Sequence, residues 1–165
     1  MPQAIFRNII NFVLLALIQT LVLNQIQFLG FVNPYVYLLF IISQPIKQPR
    51  WLTLILAFAL GLTIDIFSNT LGIHAFATVL VAYLREYIIR IFISLDDGVN
   101  AVPNFHTFGV AAYIKYLAAM VVIHHFALFF LEAFSFTDFW LVLLRIIVSS
   151  FFTILIILGV RTFFK

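Results

Sequence analysis

Cysteine is absent from the 165 residues, and only 9% of the residues are charged. The first absence excludes a disulfide framework, a thiolate metal site and a cysteine nucleophile. The second excludes an ordinary water-soluble domain, in which about a quarter of the residues are charged. The chain also lacks a phosphate-binding GxxxxGK[ST] loop and the HExxH pattern of zinc hydrolases. No cofactor, metal or nucleic-acid partner is therefore expected, and the chain is not expected to be an enzyme.

Hydrophobic residues, by contrast, make up 65% of the chain, and 21 of them are phenylalanine. A water-soluble domain of this size leaves much of its surface exposed and could not bury so much apolar area. The surrounding solvent must then be a lipid bilayer. Because the apolar density continues from end to end, residues 1–165 are expected to form a single polytopic membrane domain.

Six apolar segments are candidates for crossing the bilayer, which takes about 20 residues per helix. The predicted spans are residues 9–29, 34–46, 51–68, 71–93, 113–134 and 139–160, with one substantial loop over 94–112. The second span is short and lies between Pro34 and Pro45, so we expect it to be tilted or broken. No small-residue cleavage site follows the first span, which favours a retained signal anchor. The sequence thus predicts an all-α integral membrane protein with six transmembrane helices in one compact bundle.

The positions of lysine and arginine predict the orientation of the bundle. With six spans and both termini cytoplasmic, eight of the nine basic residues fall on the cytoplasmic side, as the positive-inside rule requires. These eight are Arg7, Lys47, Arg50, Arg85, Arg90, Lys115, Arg161 and Lys165. The loops on the opposite side contain no basic residue. We therefore expect a multi-pass protein of the bacterial inner membrane with both termini in the cytoplasm.

Four ionisable residues fall inside predicted spans: Asp65, His74, Glu132 and Arg145. A charge inside a span costs on the order of 3 kcal/mol, so such groups usually face protein and have a partner. Asp65 lies about 6 Å below the outer end of its span and Arg145 about 9 Å from the same side. We expect the four side chains to gather as an intramembrane polar cluster, in which Arg145 pairs with Asp65 or Glu132. This cluster is either interhelical glue or a substrate site, and the spacing does not favour an intramembrane hydrolase built on the two acids.

Two further patterns concern helix packing. Ala57 and Gly61 are four residues apart, a small-xxx-small spacing that allows two helices to approach closely. His124 and His125 are adjacent on one helix, so they point about 100° apart and cannot both address one metal. We expect each to be hydrogen-bonded singly between helices.

The stretch GLTIDIFSNTLGIHA resembles the MreD family of rod-shape-determining membrane proteins, and in particular its Bacteroidetes members. That family carries a G-[LI]-x-x-D-[IL] element late in one span, followed by a polar turn and L-G-x-H at the start of the next. Gly61, Asp65, Leu71, Gly72 and His74 match this motif. The chain length, the short loops and the segment NPYVYLLFIISQP also fit the family.

The resemblance implies a non-enzymatic subunit of the cell-wall elongation complex, the rod complex or elongasome, which acts in peptidoglycan synthesis and cell shape. Its implied partners are MreC and, through it, the actin-like MreB, RodA and the partner transpeptidase of RodA, besides membrane lipids. The implied fold is similar to the six-helix substrate-binding subunits of energy-coupling-factor vitamin transporters. An alternative function is therefore a small-molecule-binding transporter subunit with an outward-facing polar pocket lined by the same four ionisable residues.

Overall fold

The computed structural model describes residues 2–26, 32–93, 101–134 and 138–163, and most of these residues are helical. The helices are α1 (Pro2–Leu17), α2 (Leu39–Ile42), α3 (Arg50–Ser68), α4 (Ile73–Phe92), α5 (Phe105–Phe108), α6 (Val110–Ala133) and α7 (Phe139–Phe163). A π-helical turn (Ile18–Val22) and a 3-10 turn (Leu23–Gln25) continue α1. Another 3-10 turn (Val36–Leu38) leads directly into α2.

Four helices in the described part of the chain are long and apolar enough to cross a membrane. They are Ile5–Gln25, α3, α6 and α7. The 20 residues of α4 would extend about 30 Å, but its second half carries Arg85, Glu86 and Arg90, which make it too polar to be counted with the others. The all-α membrane class agrees with the sequence prediction, whereas length and composition support four spanning helices and not six.

The predicted spanning helix over 34–46 needs correction. Helical structure there consists of three residues in a 3-10 turn and four in α2, a length of about 10 Å. Pro34 lacks an N–H group, and Pro45 disfavours helical geometry at the residue before it, so prolines bound the helix on both sides. The segment is buried within the bundle, and Tyr37, Leu38 and Ile41 are completely inaccessible.

Side-chain bonds show which ends of the elements lie together. Near the end of α2, Gln44 receives a hydrogen bond from Asn8 of α1 and its carbonyl accepts one from Arg85 of α4, while Ser43 contacts Arg161 of α7. The start of α1 and the ends of α2, α4 and α7 therefore meet at one end of the bundle, called the basic end below. At the opposite end, Asn24 after α1 donates to Ser68 at the end of α3, 2.8 Å away.

The long helices α3, α4, α6 and α7 pack as successive antiparallel neighbours. Their buried faces carry the core, including Tyr113, Tyr116 and Phe129. Large apolar side chains such as Ile66 and Phe67 are exposed on the outside. Helices that are apolar on nearly all sides are typical of a protein surrounded by lipid.

The predicted loop over 94–112 is partly helical, because α5 lies within it and α6 begins at Val110. A capping box starts α5: the side chain of Asn104 accepts the N–H of Thr107, and the Thr107 hydroxyl accepts the N–H of Asn104. Several sequence predictions lie outside the described residues. They are the end of the first span at 27–29, the loop residues 94–100, residues 135–137 between the last two predicted spans, and Lys165, which is expected to be cytoplasmic.

Candidate functional site

The carboxylate of Asp65, near the end of α3, caps the first turn of α4. The N-cap residue of α4 is Gly72, which has no side chain to do this. Asp65 Oδ1 accepts the backbone N–H of His74 at 3.1 Å, and Oδ2 accepts that of Ala75 at 2.8 Å. These are the second and third residues of α4, whose N–H groups an N-cap side chain normally satisfies. A negative charge at this position is also favoured by the helix dipole.

Two further side chains complete the surroundings of the buried Asp65 carboxylate. The Thr70 hydroxyl donates to Oδ1 at 2.5 Å, and His74 Nδ1 lies 3.1 Å from the same oxygen. Thr70 Oγ1 and His74 Nδ1 are themselves 3.1 Å apart. Oδ1 therefore has three polar neighbours and Oδ2 one, close to the full capacity of a carboxylate. The geometry is that of a closed structural site, with little capacity left for a substrate.

Glycine residues make this capping geometry possible. A Cβ atom on Gly61 would lie 2.5 Å from Ala75 Cα and 2.7 Å from Ala75 N, so only glycine allows α3 to approach α4 this closely. Gly72 has a φ of +84°, a conformation that costs glycine little and other residues more. Leu71 points outward and is fully exposed. Four of the five residues that resemble the MreD motif thus form the α3–α4 junction, and the fifth lies on its surface.

A chain of hydrogen bonds leads from this junction into the interior. The Thr78 hydroxyl donates to the His74 carbonyl at 2.6 Å and lies 3.3 Å from the Tyr37 hydroxyl. Tyr37 is in turn 2.8 Å from Nε2 of His124 on α6. These bonds connect α4, the buried 3-10 turn and α6. They therefore fix the segment 34–46 to the rest of the bundle.

The ring of Tyr35 lies at the centre of the buried aromatic contacts. Its centroid is 5.5 Å from His74, 5.9 Å from His124, 5.3 Å from His125 and 6.0 Å from Phe129. The contacts with the three histidine rings are edge-to-face, an arrangement that is favourable beyond the burial of area. The two adjacent histidines bond to different neighbours. While His124 bonds to the Tyr37 hydroxyl, His125 Nε2 lies 3.1 Å from the Thr153 hydroxyl and its Nδ1 lies 2.8 Å from the Val121 carbonyl.

Gln19, in the π-helical turn after α1, forms hydrogen bonds with the backbone at the start of the buried segment 34–46. Its amide nitrogen donates to the Pro34 carbonyl at 3.1 Å, and its amide oxygen accepts the N–H groups of Val36 at 2.9 Å and Tyr37 at 3.4 Å. Gln19 is completely buried. A backbone without helical bonds is tolerated at membrane depth only where protein groups replace those bonds, and a glutamine can both donate and accept.

Two hydroxyl groups of α7 satisfy further backbone N–H groups in and just before this segment. The Ser149 hydroxyl accepts the N–H of Asn33 at 3.3 Å, and the Thr153 hydroxyl accepts that of Tyr35 at 3.0 Å. The sequence prediction missed this role of Gln19, Ser149 and Thr153. The available signal was the presence of neutral polar residues inside apolar spans, next to a short segment bounded by prolines.

At the basic end, Arg85 and the Tyr116 hydroxyl each bind a carbonyl group that the end of α2 leaves free. Arg85 is buried, and its guanidinium donates to the Gln44 carbonyl and to the Tyr116 hydroxyl, the latter at 3.1 Å. The Tyr116 hydroxyl donates onward to the Ile42 carbonyl at 3.2 Å. Cations are favoured at a helix C-terminus because unpaired carbonyls carry partial negative charge. Arg85 is therefore part of the interior and not a free surface charge.

Arg145 forms a two-pronged ion pair with Glu132. Nη1 lies 3.1 Å from Oε2, and Nη2 lies 3.2 Å from Oε1. The guanidinium also lies over the ring of Phe129, 4.5 Å from its centroid. The side chains of Arg145 and Glu132 are 24% and 41% exposed. The four ionisable residues expected to form one polar cluster thus lie in two pairs, buried Asp65–His74 and partly exposed Glu132–Arg145, linked through the packed rings of Tyr35 and Phe129.

Within the described ranges, no group of three or more histidine, cysteine or acidic side chains is arranged to hold a metal ion. Comparisons of the chain with protein-family models, with curated proteins and with solved structures found no match.

Proposed function

We propose that this protein is an MreD-like, non-enzymatic membrane subunit that scaffolds the cell-wall elongation complex. In this role it binds MreC and, through MreC, associates with MreB, RodA and the partner transpeptidase of RodA. The observation that carries the proposal is the α3–α4 junction. Gly61, Asp65, Gly72 and His74, the residues of the MreD resemblance, are used to lock two helices together. A motif that fixes a bundle, with its carboxylate already satisfied, suits a scaffold better than a catalyst.

The membrane topology that we propose has six crossings, both chain ends in the cytoplasm, and the basic end of the bundle at the cytoplasmic face of the inner membrane. Four of the crossings are the long apolar helices, and α4 is a fifth. The second crossing is the largely buried segment 32–44, which is irregular at first and helical only over Val36–Ile42. Hydrogen bonds from Gln19, Ser149 and Thr153 support a non-helical crossing because they satisfy its backbone. The positive-inside rule supports the orientation.

A scaffold of this kind must bind its partners within the membrane, because the described loops between helices are short. Exposed apolar side chains are abundant on the helices, and of the four spanning helices the N-terminal one is the least buried. Association of helices in lipid relies on close packing and interhelical hydrogen bonds. Helix faces of the partner proteins are thus the expected contacts.

The test is affinity purification of the tagged protein from its native cells after mild solubilisation. We expect MreC and RodA to copurify in stoichiometric amounts, while an unrelated multi-pass protein carrying the same tag at equal abundance recovers neither. Recovery of a folded, monodisperse protein without MreC would contradict the proposal.

The partly exposed Arg145–Glu132 pair favours one alternative, a small-molecule-binding subunit of a vitamin-type transporter. In that role Asp65, His74, Glu132 and Arg145 would line an outward-facing pocket. Copurification of a pair of ATPases together with a retained small molecule would promote this function over the scaffold. The extensive bonding of Asp65 favours the scaffold.

A further inference from the structure

A patch of one cation and two exposed aromatic rings lies at the basic end, between the start of α3 and the second half of α4. Arg50 is the first residue of α3, and its guanidinium lies 4.2 Å from the ring centroid of Tyr83 and 5.3 Å from that of Tyr87. Its Nη2 donates to the Tyr83 carbonyl at 3.1 Å. Tyr83 and Tyr87 are one turn apart on α4, so they hold the cation in one place. Trp51 is next to Arg50 in sequence.

The patch is open to the outside of the bundle. Trp51, Tyr83 and Tyr87 are 63%, 47% and 50% exposed. A guanidinium carries five N–H donors, more than the two tyrosines can use. Glu86, the acid next to Tyr87 in the sequence, forms an ion pair with Arg90 at 2.6 Å. Its negative charge is therefore already balanced by Arg90. A preorganised planar cation with spare donors therefore faces the surroundings.

We propose that this patch, formed by Arg50, Tyr83 and Tyr87, binds the phosphate headgroup of an anionic phospholipid. Tryptophan and tyrosine favour the headgroup level of a bilayer, and arginine matches the geometry of phosphate oxygens. Positive charge is also concentrated at this end of the bundle, which attracts anionic lipids from the cytoplasmic leaflet. The site goes beyond the scaffold function, since it requires the proposed membrane orientation but no protein partner.

The protein contains two tryptophans, Trp51 directly after Arg50 and Trp140 on α7, which allows each to be used alone as a reporter. The Trp140→Phe protein is reconstituted into nanodiscs of neutral lipid, and brominated phosphatidylglycerol or brominated phosphatidylcholine is added in steps. Bromine quenches tryptophan fluorescence on contact. We expect phosphatidylglycerol to bind beside Trp51 about fivefold more strongly than phosphatidylcholine, the effect of one well-placed basic residue.

Substitutions distinguish a specific site from general attraction. Arg50→Gln should remove most of the preference, and Arg50→Lys should retain part of it because the charge stays while the planar stacking is lost. Lys115→Gln is the matched control: it removes one exposed charge from the start of α6, on a helix that does not form the patch. Thermal melting of each variant checks that it is folded.

The proposal fails if the Trp140→Phe protein shows no preference for phosphatidylglycerol, or if Lys115→Gln lowers the preference as much as Arg50→Gln does. Full displacement by inorganic phosphate at millimolar concentration would identify a free-anion site and would also overturn it. The Trp51→Phe protein, whose remaining reporter is Trp140, should show no preference, and an equal preference there would again indicate attraction without a site.

Discussion

The role assigned to Asp65 can be tested by replacing its carboxylate with the nearly isosteric amide, Asp65→Asn. The amide keeps one oxygen, so it cannot accept from both sides of the site. If that oxygen faces Thr70 and His74, the amide NH2 group meets the N–H of Ala75, donor against donor. If the amide is flipped, the bond to Ala75 survives and the three polar neighbours on the other side lose their acceptor.

The expected cost follows from what is lost. A hydrogen bond to a charged group contributes about 1.5–3 kcal/mol, and a buried donor left unsatisfied costs a similar amount. Asp65→Asn should therefore lower the free energy of unfolding by about 2 kcal/mol. For a chain of this length that corresponds to a fall of about 4–8 °C in Tm.

The measurement is thermal unfolding in one detergent, followed by tryptophan fluorescence, with size-exclusion chromatography to report the folded fraction. Asp138→Asn, at the exposed start of α7, is the control because it makes the same chemical change without burial. A surface substitution of this type should change stability by less than about 0.5 kcal/mol.

Equal melting of Asp65→Asn, Asp138→Asn and the unmodified protein, within 1 °C or so, would refute the capping argument. A different failure is also informative. If Asp65→Asn melts normally but fails to copurify a partner that the unmodified protein recovers, the carboxylate acts in binding and not in the α3–α4 junction.

Three further substitutions test other parts of the bundle by the same melting assay. Gly61→Ala should cost about 1–3 kcal/mol because the added methyl group overlaps the backbone of α4, whereas Gly159→Ala, whose Cβ meets nothing within 4 Å, should be neutral or stabilising by up to about 1 kcal/mol. Gln19→Leu should cost about 2–4 kcal/mol, since it removes three hydrogen bonds to the buried backbone of residues 34–37. Its control is Gln25→Leu, at an exposed position near the end of the N-terminal helical segment that also contains Gln19, and this change should have little effect. Arg145→Gln should cost only about 1 kcal/mol, because its ion pair with a carboxylate is partly exposed.

Clear outcomes would contradict each of these. Equal Tm values for Gly61→Ala and Gly159→Ala would mean that α3 and α4 are not in backbone contact at this point. Normal melting of Gln19→Leu would mean that other groups satisfy the backbone of residues 34–37. A loss well above 3 kcal/mol for Arg145→Gln would show that its ion pair is buried and central to the bundle.

The junction between α3 and α4 was only partly predictable from the sequence. The polar turn between Asp65 and His74 is visible in the sequence because Asn69, Thr70 and Gly72 interrupt two apolar runs, and a reversal of the chain there is expected. Which partner Asp65 takes is not visible. Arg145 is an equally reasonable partner for an acid inside a membrane, and only the packing of α3 against α4 brings the first turn of α4 to the carboxylate.

The segment around Pro34 and Pro45 shows the opposite case, in which an apolar run misleads. Its composition suits a membrane span, and the prolines indicate only that the helix is tilted or broken. Its actual form depends on Gln19, Ser149 and Thr153, which are 15 to 118 residues away along the chain. Hydrogen bonds between such distant residues leave no periodic pattern, so sequence reasoning treated these side chains as incidental.

The sequence by itself predicted a helical membrane protein, because 65% apolar residues and 9% charged ones suit helices whose backbone groups bond internally and whose surface faces lipid. It also concentrated the basic residues near a common set of chain reversals. The tertiary structure alone decided which polar groups meet: Asp65 with the start of α4, Glu132 with Arg145, and Gln19 with a backbone that forms no spanning helix. The reason is that a hydrogen bond requires the donor–acceptor distance to be right to within a few tenths of an ångström. That distance is set by how whole helices pack.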